Sequence, residues 1–111
     1  MEKNFVKLVG SEALEDLLNR SEGGPVVIFK HSTTCSVSAA AYDEMRQFDG
    51  EVCLIEVQRA RDLSKEIEKK TGVRHETPQV IVIEKGKVVW NASHWKVTAQ
   101  AVADAVQRTG K

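Results

Sequence analysis

The hydrophobic and polar positions change period several times along the chain. Phe5, Val6, Leu8 and Val9 make a short apolar opening that fits a strand or an extended arm, and Gly10-Ser11 then supplies a break and an N-cap. Leu14, Leu17 and Leu18 recur at the spacing of one buried helical face, with Glu12, Glu15 and Asp16 outside it and close to the positive end of the dipole. Arg20-Ser21-Glu22-Gly23-Gly24-Pro25 ends that helix. Val26-Val27-Ile28-Phe29 is a continuous β-branched and aromatic run, which predicts a central parallel strand covered on both faces. The chain turns polar through Lys30-His31-Ser32-Thr33-Thr34, and Ser36 to Gln47, with Ala39, Ala40, Ala41, Tyr42 and Met45, predicts a helix. Gly50 stops it, and Val52 to Val57 reads as a second buried strand. Arg61 to Lys70 predicts a helix with Leu63 and Ile67 facing inward and Gly72 at its exit.

The pattern then changes. Gln79 to Ile83 and Lys87 to Trp90 are apolar runs joined by Glu84-Lys85-Gly86, which predicts an antiparallel hairpin. Thr98 to Thr109 places Val102 and Val106 beside Ala99 and Ala103 on one helical face, with Thr98 as N-cap and Gly110 as terminator. The order is β-α-β-α, with a β-α prefix, followed by a hairpin and a closing helix.

Composition narrows the possibilities. A chain of 111 residues is enough for one domain over 1–111, and no repeat or linker divides it. Sixteen basic residues balance sixteen acidic ones, which removes the electrostatic footprint of nucleic-acid or anionic-membrane binding, so neither partner is expected. The longest strongly apolar run, Val80 to Ile83, is far too short to cross a bilayer, and Met1-Glu2-Lys3-Asn4 lacks the layout of a secretory signal. A cytoplasmic protein is expected, in which a structural disulfide between Cys35 and Cys53 would not persist.

Each cysteine therefore needs its own reading. Cys35 falls where the chain leaves the central strand and starts a helix, so the unpaired first-turn amides would face its sulfur and favour the thiolate. Lys30 and His31 add positive potential if they turn toward the loop, although Lys30 reads equally well as a solvated strand-end residue. Cys35-Ser36-Val37-Ser38 has the spacing of a two-cysteine redox motif with its second sulfur replaced by a hydroxyl. Serine cannot displace a mixed disulfide, so attack by Cys35 would stop with a partner attached until an external thiol frees it. Ser38 has two readings: a hydrogen-bond donor to the thiolate, or a side chain satisfying a helix carbonyl. Cys53 lies mid-strand, the setting of a small buried apolar residue. Thr77-Pro78 precedes the hairpin; the proline is a candidate for a cis bond packed opposite the sulfur, with the Thr77 backbone offered to an extended thiol ligand, or for an ordinary trans turn.

On these residues the chain resembles the thioredoxin-like superfamily, and Phe29-Lys30-His31-Ser32-Thr33-Thr34-Cys35 is similar to the active-site segment of its monothiol bacilliredoxins. His75-Glu76-Thr77-Pro78-Gln79 resembles that family's cis-proline segment, and Ser93-His94-Trp95-Lys96-Val97-Thr98 its pre-helix segment. The resemblance implies an α/β thioredoxin-like fold with a central mixed sheet, a C-terminal antiparallel hairpin and flanking helices. It implies a thiol-disulfide oxidoreductase that removes bacillithiol, as co-substrate, from S-thiolated client proteins. Cys35 would be catalytic, with Thr34, Ser36, Ser38, Thr77 and Pro78 binding the small thiol or stabilising the thiolate. Ser36 and Val37 stand where many relatives have proline and isoleucine, giving the helix start one more amide and a less rigid approach. No bound metal is expected, because His31, His75 and His94 form no paired ligand unit. The alternative is a non-catalytic thiol-binding or iron-sulfur-holding scaffold that uses the same cysteine. His94-Trp95 also reads as a packing corner in which the indole covers the core edge.

Overall fold

The structure, a computed structural model, describes residues 4–109. Met1–Lys3 of the segment read for a secretory signal, and the Gly110 expected to terminate the last helix, lie outside the described residues. The elements follow in the order β1 (Phe5–Lys7), α1 (Ser11–Arg20), β2 (Val26–His31), α2 (Ser36–Gln47), β3 (Val52–Glu56), α3 (Arg61–Thr71), β4 (Gln79–Glu84), β5 (Lys87–Ser93) and α4 (Ala99–Thr109). The apolar opening is thus a strand. One mixed sheet has the order β1-β3-β2-β4-β5, parallel across β1, β3 and β2 and antiparallel from β2 to β5. Among the described residues no helix is long and apolar enough to cross a membrane.

Strand alternation divides the core into two layers. Val27 and Phe29, Val52 and Leu54, and Val80 and Val82 face α2 and α4, where Ala41, Met45, Val102 and Ala105 meet them. Ile28, Cys53, Ile55, Ile81 and Ile83 face α1 and α3, packing on Leu14, Leu17, Leu63 and Ile67. Both faces of β2, β3 and β4 are covered, which is why these strands read as unbroken apolar runs. Two residues of β5 step against one of β4: Val82 pairs with Trp90 but Ile83 with Val88. Because of this bulge, Val88 and Trp90, two positions apart, join opposite layers.

Several ends are set by local chemistry. Gly72 closes α3 at φ 74°, a left-handed position that suits glycine. Thr98 caps α4, its Oγ1 accepting the Ala101 N–H at 3.1 Å. Two sequence readings need correction. Lys30 and His31 belong to β2 and are buried, because the strand continues past its apolar run. Trp95 does not cover the core edge; it is 70% exposed, beyond His94 at φ 56°.

Candidate functional site

Cys35 occupies the N-cap of α2, with the extended backbone (φ −110°, ψ 129°) usual for that position. Its carbonyl accepts the Ala39 N–H at 3.0 Å, and its half-buried thiol makes no capping hydrogen bond. A sulfur carried at a helix start, rather than packed among aliphatic side chains, is reachable by another sulfur. Ser36 begins the helix and is exposed.

Ser38 is fully buried, and its partners are neither of those expected from sequence. Its Oγ accepts the Ser32 N–H at 2.8 Å and lies 2.9 Å from His31 Nδ1. Burial pushes the His31 pKa below its ordinary value, against the pull of the Glu56 carboxylate and a bond with Ser38. Burial thus favours the uncharged ring, and the Nδ1 contact ties it to the Ser38 hydroxyl whichever of the two carries the shared proton. His31 also stacks between Phe29 and Tyr42, ring centroids 5.5 and 4.8 Å away. The hydroxyl three positions after the cysteine thus joins the end of β2 to the first turn of α2.

Gln58 holds the loop before Cys35. Its Nε2 lies 3.0, 3.3 and 3.2 Å from the hydroxyl oxygens of Ser32, Thr33 and Thr34, and its Oε1 accepts the Thr33 N–H at 3.3 Å. Sequence reasoning missed this residue, although the parallel register could have indicated it. Lys30 lies beside Ile55 and His31 beside Glu56, so the segments leaving β2 and β3 emerge side by side.

Thr77 and Pro78 reach the same end of the sheet from the other side. Gln79 pairs with Lys30, and the Thr77–Pro78 peptide just before it is cis, as the sequence reading allowed. The Pro78 carbonyl accepts the His94 N–H at 2.9 Å. Thr77 Oγ1 lies 3.4 Å from His75 Nε2, and His75 Nδ1 lies 3.1 Å from Lys30 Nζ. A hydrogen-bonded line therefore runs from the buried Lys30 to the threonine before the proline. Lys30 and His31, adjacent on β2, point to opposite faces.

Cys53 is buried on β3 with its Sγ 3.8 Å from the Arg20 guanidinium, and burial pushes its pKa up. It pairs with Ile28, and the advance from Ile28 to His31 alone is about 10 Å, beyond the Cα separation of roughly 7 Å that a disulfide spans. Cys53 is not placed to resolve an adduct on Cys35.

Comparison with known proteins agrees with this architecture. The family model for monothiol bacilliredoxin BrxC matches residues 6–102. A solved chain described as a candidate oxidoreductase with a thioredoxin fold is 36% identical, with TM-score 0.85 over 92% of this chain and 93% of that one. Two more distant chains share the fold. A thioredoxin variant from Halobacterium salinarum is 17% identical (TM-score 0.70, 97% of this chain and 92% of that one). Thioredoxin f from spinach chloroplast is also 17% identical (TM-score 0.70, 100% of both chains).

Proposed function

The chain belongs to the monothiol bacilliredoxin family, thioredoxin-fold thiol oxidoreductases, and from that premise we propose that it removes bacillithiol from protein mixed disulfides in the cytoplasm. The observation that carries this reading is a lone, half-buried sulfur at the start of α2, with an already engaged hydroxyl where a second sulfur would stand. Cys35, as thiolate, attacks the bacillithiol sulfur of the client's disulfide; the Cys35–bacillithiol bond forms, the client's S–S bond breaks, and the client leaves as thiolate and takes a proton. A second low-molecular-weight thiol then attacks the adduct, forms a disulfide with bacillithiol and returns Cys35 to its reduced state. Thr34 and Ser36, either side of Cys35, together with Thr77 and Pro78 are the groups proposed to border the bound thiol. Ser38 supports the site by joining β2 to α2.

The test uses a client protein carrying one bacillithiol, incubated with wild type and Cys35→Ala and followed by intact mass. The expected result is a gain of one bacillithiol on the wild type and none on the variant, with the client returned to its thiol mass. Equal transfer by both would overturn the assignment.

A further inference from the structure

A groove of about 520 Å³ runs along α3, from Val57 and Gln58 at the exit of β3 to His75 in the segment before Pro78. Gln58 borders it on the side of Ser32–Thr34, and His75, whose imidazole reaches Thr77 and Lys30, borders the other. Arg61 and Lys65, one turn apart on α3, supply its positive charge. Among the described residues neither is in an ion pair. Glu68 also lines the groove, but its carboxylate accepts the His75 N–H at 2.7 Å and faces the charge of Lys30. Of the nearby acids, Asp62 lines a separate groove beside Val9 and Gly10, and Glu66 is engaged by Ser11 and Lys70. Ala60, the N-cap of α3, has no side-chain acceptor, so the first amides of the helix add to a field that favours an anion. The volume suits a small molecule rather than a protein surface.

We propose that this groove binds the carboxylate-bearing end of the small thiol whose sulfur Cys35 takes, with Arg61 and Lys65 as the charged contacts. The inference rests on the function proposed above and adds to it the part of the substrate that is recognised. A thiol bearing carboxylates is thereby preferred over an uncharged or cationic one. Bacillithiol, with its malyl dicarboxylate, meets that requirement; cysteamine, with an ammonium, does not.

One client protein is prepared as its bacillithiol and as its cysteamine mixed disulfide, and kcat/KM for client thiol release is measured for wild type, Lys65→Gln and Arg61→Gln/Lys65→Gln. The wild type is expected to prefer the bacillithiol substrate, and the double variant to lose about tenfold in the ratio of the two kcat/KM values, with the single variant between. Far-UV circular dichroism checks that the variants are folded. A ratio that does not change, whether or not the absolute rates fall, overturns the groove as the recognition site. A wild type that releases neither small thiol removes the functional reading and, with it, this inference.

Discussion

Lys30 has no exposed surface, and its ammonium rests against the His75 imidazole. Burial lowers its pKa from 10.5 to about 8, with the Glu68 carboxylate opposing the shift. An unfolded chain keeps that proton to about pH 10.4, so between pH 8 and 10 the unfolded state binds more protons and stability rises with pH. At pH 7 the buried charge costs about 3 kcal/mol. Lys30→Met removes that cost and also the partner of His75. The variant is expected to exceed the wild type in stability by about 1–3 kcal/mol at pH 7, with the margin shrinking toward pH 10. Urea unfolding at the two pH values checks this, and a margin independent of pH would assign the effect to packing. His31 works in the same direction at lower pH. Its folded pKa lies below the ordinary value, so the stability it contributes holds above that value and is lost as pH falls through the folded one.

At the scale of elements, Gln58 fixes where the strand exits meet. Gln58→Ala frees Ser32, Thr33 and Thr34 from their shared amide. Removing exposed hydrogen bonds costs only about 0.5–1.5 kcal/mol of stability. Adduct transfer through Cys35 is expected to slow by more than that figure's roughly tenfold equivalent; intact-mass kinetics beside a thermal melt would show it, and unchanged kinetics would remove Gln58 from the site's support. The helices and the hairpin were legible because their apolar periods, Gly72 and Thr98 are local signals. Cys35 was legible for the same reason, being a lone thiol at a strand-to-helix turn. Gln58, the Lys30–His75 pair and the partners of Ser38 were not, since each depends on which strands lie side by side or which face a residue takes. Trp95 was misjudged because an aromatic beside a turn carries no local mark of whether it points in or out.

Across the whole molecule, β2 serves both core layers through Phe29 on one face and Ile28 on the other. Neither layer can open without exposing the sheet that the other packs on, so unfolding is expected as one transition. Trp90, packed on the α2 and α4 layer, and Trp95, largely in solvent, separate the probes. In a Trp95→Phe variant the fluorescence of Trp90 should change at the same denaturant midpoint as far-UV circular dichroism. Separate midpoints would show that the layers part independently.

The side-by-side exits of β2 and β3 make β3 a ruler for the reactive end of the sheet. Deleting one residue there would turn every following side chain to the wrong face, and deleting two would keep the faces but draw Gln58 back by about 6–7 Å, out of reach of the threonines. Length changes in this strand therefore have no neutral increment. Tags or grafted peptides belong at the far end of the sheet, around Asp49 and Gly50, where the chain enters β3 rather than leaves it.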